Sequence, residues 1–347
     1  MVAKGNRAIW LLTILLICLS AAPIAAAPSN ETYFRLTISS RAEISTLTRI
    51  VSIDNVVSDT VYAYANPAQL ASLASAGYTY TVLPAPSSLA TPQMSQERQA
   101  YAWDSYPTYD QYVTMMQQYA QSYPSLCHLD TIGTTTQGRL LLVATISNNV
   151  STEANKPEVL LTSSIHGDEL VGYILMLRLI DTLLTGYGGD QGVTHLLDSV
   201  KIYVNPLANP DGTYHGGNNT VSGARRGNAN GIDLNRNYPD PQDGPHPDGN
   251  AWQAETVASM NFANTHWPVL AVNFHGGAQV VNYPWDTWAT RHPDDAWFQM
   301  VSRQYADTCH IYAPSGYMAD LSDGITDGYD WYEVNGGRQD YMNYFHG

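Results

Sequence analysis

The stretch PEVLLTSSIHGDELVGYILMLRLIDTLL, residues 157–184, sets the fold class. It opens on an apolar run, PEVLLTSSI, that reads as a buried strand. A polar cluster from His166 to Glu169 follows at once. Beyond it the pattern turns helical, and glycines at 186, 188 and 189 end the helix. Two more runs repeat the layout: VKIYV precedes NPLANPDG at 205–212, and WPVLAVNF precedes His275. A further helical pattern lies near 251–264. Strands alternating with helices indicate an α/β sheet, in which ligands gather beyond the carboxyl ends of the strands.

Outward from this core the chain divides. The 347 residues, 44% of them hydrophobic, suffice for one large domain and a small one. Residues 1–27 carry Lys4 and Arg7, an apolar run of about a dozen residues and an Ala-x-Ala ending, the pattern of a secretory signal peptide. That run is too short to span a bilayer. The reading places the mature chain outside the cell or in a periplasm. Residues 28–84 alternate apolar and polar positions (TYFRLTIS, DTVYAYAN, YTYTVLP) around a small-residue helical stretch, PAQLASLASAG, and form a small β/α module without a catalytic cluster. A linker rich in Pro, Ser and Ala covers 85–105, and the main domain runs from 106 to 347.

The formal net charge of −15 argues against nucleic acid or an anionic membrane surface as a partner. Removal of residues 1–27 leaves Cys127 and Cys309, whose pairing the sequence does not decide.

His166 and Glu169, with two residues between them, are good metal ligands at short spacing. A catalytic zinc takes three protein ligands, often two close together and one distant, and keeps a fourth position for water. His275 in NFHGGAQ fits as the distant ligand, because the two glycines after it let backbone crowd the site. The other histidines have weaker contexts: His128 starts a strand, His195 lies in a helix, His215, His246, His266 and His292 adjoin Gly or Pro loops, and His310 and His346 stand alone. An isolated His-x-x-Glu is weak evidence. GARRGNANGIDLNRNYPD at 223–240, with NPDG at 209–212, makes the constellation specific.

Together HGDE, NPDG, RRGNANGIDLNRNYPD, NFHGGAQVVNYPWD and YEVNGGRQDY make the chain resemble the zinc metallocarboxypeptidases from about Tyr106 onward. It resembles most the branch that removes C-terminal Lys or Arg, which includes carboxypeptidases D, E, M and N. The resemblance implies a central mixed β-sheet flanked by helices and one Zn2+ held by His166, Glu169 and His275. It further implies Asp233 as the partner behind His166 and Arg226 as the group facing the scissile carbonyl. Asn235 and Arg236 would grip the substrate carboxylate under Tyr332, and Asp286 with Gln339 would line the pocket for a basic side chain. The partners would be peptide or protein C-termini.

The chemistry suits these residue types. Zinc polarises a carbonyl and brings the pKa of its water to about 7, and Arg226 would stabilise the developing oxyanion. A guanidinium binds a carboxylate through two parallel hydrogen bonds, so Arg236 beside Asn235 selects a free chain end. A buried Asp286 would pair with Lys or Arg, although DTWATRHPDD departs from the expected pattern and adds Arg291 nearby.

The general base is the exception. The resemblance places a Glu on an apolar strand roughly twenty residues beyond Tyr332 and so past Gly347, and Glu31, Glu43, Glu97, Glu153, Glu158, Glu255 and Glu333 all lie in other contexts. Glu333 reads as an exposed loop carboxylate. The expectation is a C-terminally incomplete domain with the metal and carboxylate groups and turnover depressed by about 10²–10⁴. Two alternatives stay open: a non-catalytic peptide-binding relative, and a zinc amidase of the desuccinylase and aspartoacylase type, against which NPDG and YEVNGGRQDY speak. Whether residues 28–84 are an inhibitory propeptide or a permanent accessory domain is left open too, with the linker as the natural cleavage region.

Overall fold

The computed structural model describes residues 31–95, 103–152 and 155–346, so the signal-peptide reading at 1–27 lies outside the described residues. Strands β1 (Thr32–Thr37), β2 (Ser52–Val57), β3 (Thr60–Ala65) and β4 (Thr81–Val82) form a four-stranded sheet in the order β2-β3-β1-β4. Helices α1 (Ile44–Leu47) and α2 (Pro67–Ser75) join them. Asn66 starts α2 with a capping box: its side chain accepts from the Gln69 N–H, and Gln69 returns the bond. Phe34, Leu36, Leu47, Ile53, Val61 and Leu73 bury a separate small core between this sheet and its helices.

The rest of the chain continues through α3 (Tyr109–Ser122), β5 (Cys127–Thr134), β6 (Leu140–Ile146), β7 (Glu158–Ser163), α4 (Val171–Gly186), α5 (Gln191–Ser199), β8 (Lys201–Asn205) and α6 (Pro210–Thr213). Then come α7 (Ala254–Thr265), β9 (Pro268–Phe274), β10 (Val281–Tyr283), α8 (Asp295–Tyr312), the short α9 (Asp320–Gly324), β11 (Ile325–Asp327), α10 (Gly328–Trp331) and α11 (Arg338–His346). The main sheet is mixed, in the order β5-β6-β8-β7-β9. The pairs β5–β6 and β6–β8 are antiparallel, and β8–β7 and β7–β9 are parallel.

Successive strand residues point to opposite faces, and both faces of this sheet are covered. Leu142, Ala144 and Ile146 of β6, with Ile202 and Val204 of β8, pack against Tyr112, Tyr173, Met176, Leu177 and Ile180 of α3 and α4. The intervening Val143 and Tyr203 pack on the other side with Met260 and Phe262 of α7 and Tyr341 and Met342 of α11. Two covered faces explain why these strands read as continuous apolar runs. The strands read from PEVLLTSSI, VKIYV and WPVLAVNF are β7, β8 and β9, and the helix ended by Gly186 is α4. Cys127 and Cys309 are free thiols, with Cys127 buried. Among the described residues no helix is long and apolar enough to cross a membrane.

Candidate active site

The pairing of β7 with β9, Ser163 opposite Phe274, sets the residues just past the two strand ends side by side. His166 and Glu169 leave β7 there, and His275 leaves β9. His166 Nδ1 lies 2.8 Å from Glu169 Oε1 and 3.2 Å from His275 Nδ1, and His275 Nδ1 lies 2.8 Å from Glu169 Oε2. One ligand atom from each of the three falls within 4.8 Å of the others. Gly276 donates its N–H to Glu169 Oε2 at 3.0 Å, and a β-carbon on Gly276 would stand only 3.3 Å from the Glu169 side chain, so bulk there would press on the triad.

Behind the triad Asp233 takes the other ring nitrogen, His166 Nε2, at 3.0 Å. Asp233 and Glu169 are both ionised and only accept, so Asp233 fixes a proton on Nε2 and Glu169 favours one on Nδ1, which a metal would replace. Burial and Arg226 oppose protonation of His166, but Glu169 and Asp233 outweigh them and push it up to about 9. Burial works against the charged form of Glu169 as well, yet His166 and His275 hold it well below the usual carboxylate range. The cation nearest this group is Arg226, whose Nη1 lies 3.3 Å from Glu169 Oε1.

The NPDG and RRG segments support the HGDE loop from below. Asn209, fully buried, donates to the carbonyls of Ile165 at 3.2 Å and Arg226 at 3.3 Å. Gly167 donates to the Arg226 carbonyl at 3.1 Å and accepts from Thr213 Oγ1 at 2.7 Å. A β-carbon on Gly167 would lie 2.6 Å from the Arg225 carbonyl, so only glycine allows three loops to meet there. Asp211 is fully buried and bound by Thr135, the Gln137 N–H and Arg139, which fixes the turn to the start of β6.

Arg226 and Arg236 stand beside the triad at 3% and 6% exposure. Much of their company comes from the N-terminal sheet. Arg226 donates to Ser52 Oγ at 2.7 Å and Asp54 Oδ1 at 3.2 Å and lies 5.3 Å from the Tyr64 ring centroid. Arg236 donates to the Ile53 carbonyl at 2.8 Å, and the Tyr332 hydroxyl approaches that carbonyl at 3.5 Å. Ser52 Oγ also bonds Asp233, and Glu31 accepts the backbone N–H groups of Arg226 and Gly227. Tyr64 and Ser87 donate to Asp168, which burial raises to about 7. Asn235 joins the group through its backbone N–H to Asp233 at 2.8 Å, and its side-chain oxygen accepts from the Arg338 N–H.

Asp286, 4% exposed, lies at the far end, beyond β10. Asn282 donates to its Oδ1 at 2.9 Å, and its own N–H donates to Asp340. Burial pushes Asp286 up to about 7, with Asp327 and Asp240 adding to the rise and Asn282 and Arg236 opposing it. Gln339 lies next to Asp340 on α11, and its buried Nε2 has no hydrogen-bond acceptor. The partners of Arg291 are Asp327 and Asp330.

The structure corrects one expectation. Glu333 is not an exposed loop carboxylate: it is 7% exposed and bonded by Ser45 of α1 and by Asn335, so it faces the N-terminal module. Missed altogether were β2 and its residues Ser52 and Asp54, along with Glu31, Tyr64 and Asn282. The segment RIVSIDNVV carried the signal, a β-branched run broken at Asp54 and Asn55.

Two imidazoles and a carboxylate converging on one point, with the far nitrogen of His166 pinned by Asp233, fit a zinc ion by donor type and number. The family model described as zinc carboxypeptidase matches residues 112–347. Carboxypeptidase D of Anas platyrhynchos is 34% identical over 297 residues, covering 76% of this chain and 21% of that one. Carboxypeptidase M of Mus musculus is 36% identical over 250 residues, 64% of this chain and 53% of that one. The chain thus spans about a fifth and about half of these two relatives. Among solved structures, carboxypeptidase A from Helicoverpa armigera superposes with a TM-score of 0.66 at 17% identity, covering 91% of this chain and 86% of that one, a likeness of fold.

Proposed function

The chain belongs to the zinc carboxypeptidase family, and from that premise we propose that it hydrolyses the C-terminal peptide bond of peptides or proteins, with preference for a terminal Lys or Arg. The observation that carries the reading is the placement of two buried arginines, Arg226 and Arg236, beside the His166, Glu169 and His275 triad. A buried guanidinium pair there suits a substrate that brings its own negative charge, and a free chain end does so.

A zinc held by His166, Glu169 and His275 would supply Lewis acidity to the scissile carbonyl and to the attacking water. The chain's own groups do the rest. Arg236 and Asn235 bind the terminal carboxylate, and Tyr332 closes over it. Arg226, within reach of Glu169, stabilises charge developing on the carbonyl oxygen. Asp233 keeps the proton on the outer nitrogen of His166. Asp286, seated by Asn282 and, among the described residues, without a basic partner in hydrogen-bond contact, receives the Lys or Arg side chain, next to Gln339. Export is part of the proposal, supported by the leader pattern of residues 1–27.

Among the described residues Glu169 is the glutamate at the triad: Glu31 binds backbone N–H groups, Glu158 binds Tyr203 and Lys201, Glu255 binds Asn228, and Glu333 binds Ser45 and Asn335. The test pairs zinc-loaded protein with a peptide ending in Arg, the same peptide amidated at its C-terminus, and one ending in Leu. Expected are binding in the order Arg above Leu above amide and release of single residues only. Equal binding of acid and amide would overturn the exopeptidase reading.

A further inference from the structure

We propose that Asn273 is a positioning residue for the third metal ligand, His275, and that its side-chain amide offers opposite ends to the ring in the unloaded and the metal-loaded protein. The proposal rests on the zinc reading of the triad. His275 Nε2 lies 2.9 Å from Asn273 Nδ2, and Asn273 Oδ1 accepts from Thr162 Oγ1 at 3.0 Å. The Thr162 hydroxyl also lies 3.3 Å from the Val272 carbonyl. Thr162 and Asn273 are paired residues of β7 and β9, and His275 follows Asn273 by two, so the alternation of the strand brings the three side chains together.

The place of the proton on the ring sets what Asn273 must do. A carboxylate only accepts, so the contact of Glu169 with His275 Nδ1 at 2.8 Å puts the proton on Nδ1 in the unloaded chain. Nε2 then carries a lone pair and meets the amide N–H of Asn273, the end that faces it here. A metal needs the Nδ1 lone pair of a neutral ring, so the proton then belongs on Nε2. Two N–H groups cannot pair, and Asn273 has to offer Oδ1 instead. Half a turn of the amide does this. Thr162 suits both arrangements, because a hydroxyl donates and accepts: it donates to Oδ1 in the first, and in the second it accepts from Nδ2 and turns its own proton to the Val272 carbonyl. Nδ1 gives its proton to solvent and Nε2 takes one from solvent, so the ring keeps its charge. The side chain of His275, 34% exposed, is open to that exchange.

His166 has no such freedom. Its far nitrogen faces Asp233, a carboxylate that accepts in either state, so that ring is set before metal arrives. His275, whose partner is an amide, is set as metal arrives. An Asn273 that served only the sheet would need its bond to Thr162 and nothing from Nε2.

Nitrogen NMR of the full chain carrying isotope-labelled histidine, with His275→Ala to assign the ring, reads the proton on Nε2 and needs no turnover. In the parent, Nε2 of His275 is expected to be bare in the unloaded chain and protonated after zinc. In Asn273→Asp, whose side chain accepts and cannot donate, Nε2 is expected to carry the proton in both. Competition with a chelating dye is the second readout. Asn273→Ala, which leaves the Nε2 proton without a protein acceptor, should weaken zinc about 10–100-fold, and Asn273→Asp should hold it within about threefold of the parent. An Nε2 protonated before and after loading in the parent overturns the exchange of ends, and the parent spectra decide this even where a variant does not fold. An Asn273→Asp variant as weak as Asn273→Ala overturns the positioning role, since an amide needed only by the sheet is replaced no better by a carboxylate than by a methyl group. If His275→Ala keeps the parent's zinc affinity, the zinc reading of the triad fails and the role of Asn273 falls with it. If His275→Ala loses zinc and the Nε2 signal of the parent does not change on loading, the zinc reading stands and the exchange at Asn273 alone is overturned.

Discussion

The metal triad and the arginine pair lie side by side, yet they are built in different ways. His166, Glu169 and His275 are positioned by one sheet, and their nearest partners are one another. Arg226 and Arg236 are buried more deeply than His275, and their partners Ser52, Ile53 and Asp54 come from a strand more than 170 residues earlier. A site half made of strand ends is fixed whenever the main sheet folds. The other half depends on a second module staying docked. Changes on the triad side should therefore cost metal, and changes on the arginine side should alter access and selectivity while metal stays.

The largest effect expected is on the triad. His275→Ala removes one of three protein ligands, and zinc affinity should fall on the order of 10³-fold, a share of the roughly 10–16 kcal/mol that structural zinc sites supply. Metal analysis after dialysis, with circular dichroism to confirm the fold, measures it. Retained stoichiometric zinc would break the comparison at its first term. Asp233 joins the two regions, since it holds His166 on one side and Ser52 and Arg226 on the other. Asp233→Asn should lower zinc affinity about 10–100-fold, read by competition with a chelating dye. An effect as large as that of His275→Ala would mean that Asp233 does more than orient the ring.

The asymmetry also explains what the sequence disclosed. The triad was legible because each member follows an apolar run at once, and the runs proved to be neighbouring strands; local pattern and final position coincide. NPDG was recognisable as a motif, but its work, Asn209 bonding the lead-in to the HGDE loop and Asp211 the turn before β6, needs the fold to appear. The contacts of β2 with the two arginines were not legible. Ser52 and Asp54 look like interruptions of a strand, because the cations they meet lie 174 and 172 residues away. Glu333 misled for the same reason: beside Tyr332 it reads as a surface carboxylate, while its partner Ser45 is 288 residues distant. Alternation reports which residues are buried by their own sheet, and it is blind to polar residues buried by another module.

On the selectivity side, Asp286→Ala should narrow the preference for peptides ending in Arg over Leu by a few kcal/mol, about 10–100-fold, as when a desolvated charge pair loses a member. The parent should show a pH signature that the variant lacks. Burial raises Asp286 to about 7, so below that pH the carboxyl is neutral and offers a basic side chain no charge. Affinity for the Arg peptide should rise as pH increases through about 7, while affinity for the Leu peptide stays flat across the same window. Matched binding titrations on zinc-loaded protein check this. A flat profile for the Arg peptide would remove Asp286 from the pocket and leave Gln339 as the remaining assigned contact.

The smallest effect concerns what keeps the module docked. Arg49 is 41% exposed and pairs with Asp243 and, at 3.8 Å, with Glu333. An ion pair so open to water contributes about 0–1 kcal/mol, because solvent screens the attraction and two side chains lose freedom to make it. Arg49→Ala alone should therefore shift the thermal midpoint, read by differential scanning calorimetry, by no more than about 4 °C. The reasoning is that docking rests on β2, where Asp54 meets a guanidinium at 3% exposure and the Ile53 carbonyl meets another at 6%, and desolvated contacts to charged groups outweigh a solvated pair. A midpoint lowered well beyond that by Arg49→Ala alone would reverse this ranking. The rim would then hold the module, β2 would merely rest in the cleft, and the arginine half of the site would be set by surface charge and so depend on ionic strength.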